Sequence, residues 1–222
     1  MKQGLFITGT GTGVGKTIIS ALLISALKQA GRRARYFKPV QTGSDDDTAK
    51  VVDLSKISAD EVREPLYKFV LPAAPLRAAE NEGKKIHLDA IAQCWQSLPH
   101  GDWIIEGVGG ILVPITRRET VCELIEVLQV PIIVVATTQL GTINHTLLTL
   151  ETAKSRHIPV RGIVLLGRKD PGLRETIEQF TTVPVVAEVP WLDSITTSSI
   201  EENSRRCFPS SLLDQLFFEA SQ

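Results

Sequence analysis

The sequence predicts a three-layer α/β fold, with a mostly parallel central sheet and helices on both of its faces. Apolar, strand-like runs recur along the chain, and helix-like stretches lie between most of them. The runs are rich in isoleucine and valine and alternate little with polar residues, which is typical of strands buried on both faces. Strand alternating with helix favours parallel pairing through right-handed crossovers. Because ligands bind such sheets at the carboxyl ends of the strands, the residues after each strand are the first candidates for function.

The predicted elements follow one another in a regular order. Strands are expected at Leu5–Thr8, Ala34–Val40, Trp103–Glu106, Pro131–Thr137, Val160–Leu166 and Val183–Val189. Helices are expected at Lys16–Ala30, Ile86–Leu98, Thr120–Leu128, Asn144–Arg156 and Leu173–Phe180, with a further helix at Ser210–Phe218. No repeat, linker or low-complexity tract interrupts this order. We therefore expect residues 1–222 to form one domain, in which 194–222 is a closing segment.

Composition and charge exclude several classes of function. The 222 residues carry a formal net charge of −1, which gives no case for nucleic acid or an anionic membrane as the main partner. The longest clean apolar run, 130–136, is too short to cross a bilayer, and the N-terminus lacks the apolar region of a signal peptide. The three cysteines lie far apart, without the spacing of metal ligands or of a disulfide framework. We expect a cytoplasmic protein that acts on small molecules.

The most informative segment joins the first strand to the first helix. Residues 9–17 read GTGTGVGKT, the strand–loop–helix context of a phosphate-binding loop, or P-loop. Backbone N–H groups of the loop can cradle phosphate, Lys16 can reach the outer phosphates, and the Thr17 hydroxyl can bind the Mg²⁺ that bridges them. The strict pattern would place glycine where this chain has Thr10, and the alternative is a glycine-rich turn before an ordinary helix. The segment predicts a protein of the P-loop NTPase type that binds a nucleoside triphosphate.

A lysine ends the second predicted strand. Lys38 is followed by Pro39, and a lysine inside an apolar strand pattern is costly unless it is used, so we expect a fixed cation on the ligand side. Asp45, Asp46 and Asp47 follow shortly after. One of them could join a magnesium shell, since Mg²⁺ prefers carboxylate oxygen together with phosphate and water, while the others form a solvated acidic loop.

Two later strand ends carry further candidates. Glu106 ends a buried strand and is followed by the glycine-rich stretch 107–110, where a P-loop enzyme places its second acidic group near the metal. After the next strand, Thr142 is predicted to cap the following helix, and Asn144 and His145 fall in its first turn. His145 is either a general base or a hydrogen-bonded structural histidine.

In this order, these motifs resemble those of dethiobiotin synthetase. The resemblance extends from about residue 4 to residue 192. It rests on 9–17, 38–43, 72–83, 106–110, 140–145 and 188–192. The resemblance implies ATP-dependent carboxylation and ring closure of 7,8-diaminononanoate. One amine takes up carbon dioxide as a carbamate, the carbamate attacks the γ-phosphate to give a carbamic–phosphoric anhydride, and the second amine then closes the cyclic urea and expels phosphate.

The resemblance also implies roles for individual residues. The catalytic residues would be Lys38, Lys16 and Thr12. Those that hold ATP, or another nucleoside triphosphate, would be Gly13, Val14, Gly15, Lys16, Thr17, Ile18, Glu106, Gly107, Val108, Gly109, Leu166, Gly167, Pro190, Trp191 and Leu192. The diaminononanoate site would comprise Thr12, Lys38, Thr42, Gly109 and Asn144, with the last near a subunit boundary of a homodimer. The ligands of Mg²⁺ would be Thr17, Asp47 and Glu106, with Asp46 as the alternative to Asp47.

Three positions depart from what is usual in that family. Gly13 stands where members often carry an acidic residue, and Gln139 replaces a lysine. Leu166 and Gly167 stand where many members have Asn-Asp, whose asparagine reads the adenine edge. Because Leu166 and Gly167 cannot make those side-chain hydrogen bonds, we expect weak selectivity for ATP over other nucleoside triphosphates.

Two other classes of protein share parts of this pattern. Partitioning and septum-positioning ATPases carry a signature lysine early in the loop, where this chain has Gly11, and they tend to offer a basic patch or a membrane-binding tail. A cobyrinate-type amide ligase would need a glutaminase domain, for which the chain has no room. A small-molecule kinase is a third possibility, but it leaves unexplained the lysine–proline strand end at 38–39 and the glycine-rich stretch 106–110.

Overall fold

The predicted fold class is confirmed by a computed structural model, which describes residues 2–218. The strands are β1 (Lys2–Gly9), β2 (Ala34–Phe37), β3 (Val40–Thr42), β4 (Val62–Arg63), β5 (Tyr67–Phe69), β6 (Gly101–Gly110), β7 (Ile132–Thr137), β8 (Val160–Gly167) and β9 (Val185–Pro190). The helices are α1 (Lys16–Gln29), α2 (Asp47–Ser55), α3 (Pro75–Asn81), α4 (Leu88–Ser97), α5 (Val121–Leu128), α6 (Thr142–Ser155), α7 (Leu173–Phe180), α8 (Thr197–Cys207) and α9 (Ser210–Phe217). The end of the predicted closing segment, from residue 219, lies outside the described residues.

A seven-stranded parallel sheet forms the middle layer, in the order β4-β2-β6-β1-β7-β8-β9. Its strands bury both faces, as the runs of isoleucine and valine predict. Phe6 packs into the apolar cluster that includes residues of helices α3 to α7, whereas Leu5 and Ile7 pack into the opposite cluster with α1, α2, α8 and α9. The two helical layers therefore enclose the sheet, and β1 lies at its centre.

The second predicted strand is shorter than expected. It was predicted to run to Val40, but β2 ends at Phe37, and β3 pairs with β5 in a separate two-stranded parallel sheet. Pro39 explains the break because it has no N–H to donate to a ladder, while its carbonyl accepts hydrogen bonds from the N–H groups of Leu66 and Tyr67. The chain therefore leaves the main sheet at Lys38.

Two further local predictions were wrong. Glu106 does not end its strand, because β6 continues to Gly110, which pairs with Gly9 beyond an irregularity in the β1 register. Thr142 does not cap α6. Gly141 occupies that position with φ of 94°, and Thr142 is the first residue of the helix. A left-handed cap position is one that glycine adopts at no steric cost. Among the described residues, no helix is both long and apolar enough to cross a membrane.

Candidate active site

The loop between β1 and α1 ends on a residue in the left-handed conformation. Gly15 precedes α1 with φ of 97°, and no side chain caps this end of the helix. The first N–H groups of a helix have no partner within it, so this end of α1 can bind an anion through backbone donors and the helix dipole. A Cβ at Gly15 would lie 2.3 Å from Cδ2 of Leu166, so the end of β8 packs directly against the loop.

Lys16 is folded back onto its own loop. Its Nζ donates to the carbonyl of Gly11 at 3.2 Å, and the side chain is largely buried. Burial lowers the pKa of Lys16 from 10.5 to about 8, although the negative charge of Glu106 opposes this shift. A phosphate group in the loop would raise this pKa again, because an anion next to the ammonium stabilises its charged form.

Glu106 is the centre of a buried hydrogen-bond network. Its Oε1 accepts from the hydroxyl of Thr17 at 3.0 Å and from Nζ of Lys38 at 2.8 Å. Its Oε2 accepts from the hydroxyls of Ser20 and Tyr36, each at 2.9 Å. Burial, together with the charge of Glu106, raises the pKa of Tyr36 well above 10, so the phenol stays a donor. All four donors thus hold one carboxylate in a fixed orientation.

Lys38 joins two carboxylates at the end of β2. Besides its contact with Glu106, its Nζ lies 3.1 Å from Oδ2 of Asp47. Burial on its own would lower the pKa of Lys38, but the attraction of Glu106 and Asp47 outweighs it and raises the pKa above 10.5. Lys38 is therefore a fixed cation, as its position in the sequence predicts.

The structure distinguishes the three consecutive aspartates. Asp47 faces the network, where its Oδ1 lies 3.2 Å from the Thr17 hydroxyl and shares that hydroxyl's single proton with Glu106. Asp46 caps α2 by accepting from the N–H of Ala49, and it pairs with Lys68 at 2.7 Å. Asp45 pairs with Lys50 on the surface. Only Asp47 of the three thus lies with Thr17 and Glu106, in an all-oxygen set that suits Mg²⁺. The described residues contain no cluster of three or more His, Cys, Asp or Glu side chains that could hold a metal by themselves.

One cavity of about 790 Å³ collects most of the predicted site. The predicted residues that line it are Thr12, Gly13, Gly15, Lys16, Thr17, Ile18, Lys38, Thr42, Asp47, Glu106, Val108 and Gly109. Sequence reasoning gave no site role to Gln41, Lys50 or Val113, which also line it. The segment 72–74, which is part of the resemblance, and Ile195 of the predicted closing segment line it too. Sequence reasoning missed Ser20 and Tyr36 as well. The available signal was periodicity, since Ser20 lies one helical turn after Lys16 and Tyr36 lies two residues before Lys38 on a strand.

The other predicted residues lie apart from this cavity. Val14 and Gly107 are buried beside it. At the edge of the main sheet, Leu166 and Gly167 end β8 opposite Val189 and Pro190 of β9, and the N–H of Trp191 donates to the carbonyl of Gly167. Trp191 is 62% exposed, and Leu192 follows it. These residues form a second group, next to the loop because of the contact between Leu166 and Gly15.

Asn144 belongs to neither group. It is exposed in the first turn of α6, next to His145, which is also exposed. Two large apolar side chains near it are turned to solvent, since Leu140 is fully exposed and Leu148 is 59% exposed. Within one chain the structure therefore does not bring Asn144 to the cavity.

Comparison with known proteins agrees with this geometry. Residues 3–199 match a family described as an AAA domain. A ParA family ATPase from Chlorobium tepidum TLS superposes with a TM-score of 0.58 at 15% identity, over 97% of each chain, which is a likeness of fold alone. Together, the sheet order and the loop at the end of its central strand define a P-loop protein.

The sequence relatives are more specific. The chain is 39% identical over 203 residues to the ATP-dependent dethiobiotin synthetase BioD of Paramagnetospirillum magneticum, covering 89% of this chain and 93% of that one. It is 38% identical over 202 residues to the biotin biosynthesis bifunctional protein BioCD of Bordetella avium, covering 90% of this chain but only 42% of that longer protein. The chain belongs to the dethiobiotin synthetase family.

Proposed function

We propose that this protein catalyses the ATP-dependent conversion of 7,8-diaminononanoate and carbon dioxide to dethiobiotin, ADP and phosphate. The observation that carries the proposal is the shared cavity, in which the phosphate loop faces a second, buried lysine. Lys16 and Thr17 line one part of this cavity, and Lys38 lies between Glu106 and Asp47 in the same space. A protein that only bound a triphosphate would not need a second fixed cation there.

The reaction brings two anions together, and the two lysines would offset their repulsion. A carbamate oxygen must attack the γ-phosphate, and two unit charges about 4 Å apart repel by roughly 4 kcal/mol at an effective dielectric constant of 20. Lys16 would hold the phosphates and Lys38 the carbamate, while Thr12, Thr42 and Gly109 line the cavity where the substrate would be bound. Fixed cations of this kind stabilise the charge that develops during phosphoryl transfer.

Thr17, Asp47 and Glu106 would hold Mg²⁺. Their oxygen atoms already lie within hydrogen-bond distance of one another through the Thr17 hydroxyl, so the donor set is assembled in this chain. When bound, the ion supplies positive charge to the phosphate oxygens. In the absence of the ion, Lys38 is paired with both carboxylates and offsets one of their two negative charges.

The nucleotide would extend from the loop toward the ends of β8 and β9. We place the phosphates against the backbone of 13–18 and 106–109, and the base near Leu166, Gly167, Pro190, Trp191 and Leu192. Leu166 and Gly167 offer the base no polar side-chain group, which supports the prediction of weak selectivity for ATP.

The diaminononanoate site would be completed by a second copy of the chain. Asn144 is exposed and flanked by the exposed Leu140 and Leu148, a combination that fits an interface better than a free surface. We infer a homodimer of single-domain subunits in which Asn144 helps to bind the substrate carboxylate.

Free Cys94, Cys122 and Cys207 fit the reducing conditions of the cytoplasm, where we place the protein.

Product formation tests the proposal directly. The protein is incubated with diaminononanoate, bicarbonate, Mg²⁺ and ATP, and dethiobiotin is measured by mass spectrometry together with released phosphate. We expect equal amounts of both, a loss of both in Lys16→Ala, and normal turnover in Lys84→Ala, whose lysine is exposed and remote. No dethiobiotin at high enzyme concentration would reject the proposal. ATP-dependent binding to DNA or vesicles would then favour a nucleotide switch.

A further inference from the structure

The two oxygens of the Glu106 carboxylate have different surroundings. Oε1 is turned toward Thr17 and Lys38, both of which line the cavity. Oε2 is turned away, toward the hydroxyls of Ser20 and Tyr36, neither of which lines it. Each oxygen accepts two hydrogen bonds, but only the donors to Oε1 lie in the cavity, so Oε1 is the oxygen that a ligand in the cavity would meet.

The donors behind Glu106 are held rigidly. Ser20 and Tyr36 have no exposed surface, and Glu106 is 1% exposed. Ser20 is fixed by α1, and Tyr36 by β2, whose neighbour in the sheet is β6, the strand of Glu106. Three elements therefore meet at one carboxylate oxygen, and none of the three side chains can turn without leaving a buried polar atom unpaired.

Packing alone does not require these hydroxyls. A phenylalanine at 36 and an alanine at 20 would fill nearly the same volume, but they would leave the buried Oε2 of Glu106 without these two hydrogen bonds. The hydroxyls are useful if the orientation of the carboxylate matters, because hydrogen bonds to an ionised group are the stronger and more directional ones.

We propose that Ser20 and Tyr36 are positioning residues that occupy Oε2 of Glu106, so that Glu106 offers a divalent cation Oε1 alone. This inference rests on the proposed function, in which Glu106 is a ligand of Mg²⁺. Mg²⁺ is small, keeps near-octahedral geometry and is bound through one or two carboxylates, whereas Ca²⁺ accepts six to eight oxygens and takes carboxylates through both atoms. A Glu106 restricted to one oxygen favours Mg²⁺ over Ca²⁺.

Metal competition tests this without turnover. The whole protein is loaded with the β,γ-methylene analogue of ATP and Mn²⁺, free Mn²⁺ is followed by electron paramagnetic resonance, and Mg²⁺ or Ca²⁺ is titrated as competitor. The measured quantity is the ratio of the two displacement constants. Tyr36→Phe and Ser20→Ala should each shift this ratio toward Ca²⁺ by about tenfold, the effect of losing one hydrogen bond to a charged group. The double variant should shift it further.

Matched controls separate positioning from stability. Tyr67→Phe removes a hydroxyl that accepts from the N–H of His87, and Ser55→Ala removes a buried one that donates to the carbonyl of Val51. Both controls lose one hydrogen bond and should lower the melting temperature, but they should leave the Mg²⁺ to Ca²⁺ ratio unchanged. Each test variant removes a single oxygen atom. If only one of the two single variants folds, that variant is sufficient to test the positioning role.

The outcomes distinguish the positioning role of Ser20 and Tyr36 from the proposed function. If the unaltered protein with the analogue binds no Mn²⁺, the metal role of Glu106 in the proposed function is wrong, and this inference is lost with it. If Mn²⁺ binds but neither variant moves the ratio by more than the controls do, the positioning role alone is refuted and the proposed function stands.

Discussion

Replacing Lys38 with methionine should remove a charge from the site while keeping most of the side-chain volume. Lys38 Nζ lies 2.8 Å from Glu106 and 3.1 Å from Asp47, and the Lys38 side chain is only 4% exposed. In Lys38→Met the two carboxylates would face each other without a cation between them. The ligand-free protein should therefore lose stability, and the carboxylates should bind added cations more readily.

The size of the effect follows from the distances. At an effective dielectric constant of 20, ion pairs at these separations are each worth about 5–6 kcal/mol of attraction, most of which offsets the cost of burying the charges. Breaking a buried pair from one side costs about 3–5 kcal/mol. For a chain of this length, that is roughly 6–20 °C in melting temperature. Loss of the cation that is proposed to face the carbamate should also lower kcat by roughly 10²–10³-fold.

The assay is thermal unfolding of the ligand-free protein in chelator, at neutral pH, with and without added Mg²⁺. Lys84→Met is the control, because its lysine pairs with Glu82 on the surface and should cost less than about 1 kcal/mol. The pKa of Lys38 is raised in the folded state, so its contribution is complete below pH 10.5 and is lost only as the pH rises through the folded value. The difference in melting temperature between Lys38→Met and the unaltered protein should thus have its maximum size at pH 7. Mg²⁺ should recover part of it.

Two results would refute this reasoning. The first is a melting temperature of Lys38→Met within the range of the Lys84→Met control, which would mean that the carboxylates do not depend on the lysine. The second is near-normal turnover in Lys38→Met, which would remove Lys38 from the catalytic residues. A loss of stability that Mg²⁺ does not relieve would argue against Asp47 and Glu106 as metal ligands.

Three further predictions concern the loop and the nucleotide. Gly15→Ala should destabilise the protein by about 1–3 kcal/mol more than Gly31→Ala, and it should weaken ATP binding measured by calorimetry. Both glycines have positive φ, but only at Gly15 would the added Cβ lie 2.3 Å from Leu166. Equal losses of stability in the two variants would contradict this. Lys16, with its pKa lowered to about 8, should take up a proton when ATP binds near pH 8.5 but not below pH 7, as shown by binding enthalpies in buffers of different ionisation enthalpy. For the ligand-free protein the same shift means that stability rises with pH between about 8 and 10.5; a fall in that window would refute it. Catalytic efficiencies for ATP, CTP and GTP should lie close together, since Leu166 and Gly167 offer no polar side chain, and a preference for ATP above a hundredfold would disprove this explanation.

Local sequence patterns predicted most strands and helices of the main sheet and its two layers. The six predicted strands and five predicted helices between Leu5 and Val189 all have counterparts, because continuous apolar runs and helical periodicity reflect burial in the sheet and its two layers. The family and fold class were likewise confirmed. The polar helix α8 was not predicted, since Ile200 is its only buried apolar residue and gives no visible period.

Long-range pairing accounts for what the sequence did not show. The apolar run from Ala34 to Val40 looks like one strand, and only the pairing of β3 with β5, some 25 residues later, reveals two. The choice of Asp47 among three aspartates depended on resemblance; in the structure Asp47 contacts Thr17, whereas Asp46 caps α2. Ser20 and Tyr36 lie within predicted apolar elements, and no local pattern indicated that their hydroxyls meet Glu106. The assigned roles of the site residues remain predictions.

The contact between Leu166 and Gly15 makes two parts of the protein depend on each other during evolution. Leu166 is the next-to-last residue of β8, beside the proposed base site, yet its Cδ2 fills the space beside the last glycine of the phosphate loop. A smaller or polar residue introduced at 166 to recognise a particular base would leave a gap under that glycine, and a residue larger than glycine at 15 would collide with leucine. Base specificity therefore cannot change through residue 166 without also affecting the packing of the phosphate-binding loop. A lineage that acquires a base-reading side chain here must repack the start of α1 at the same time.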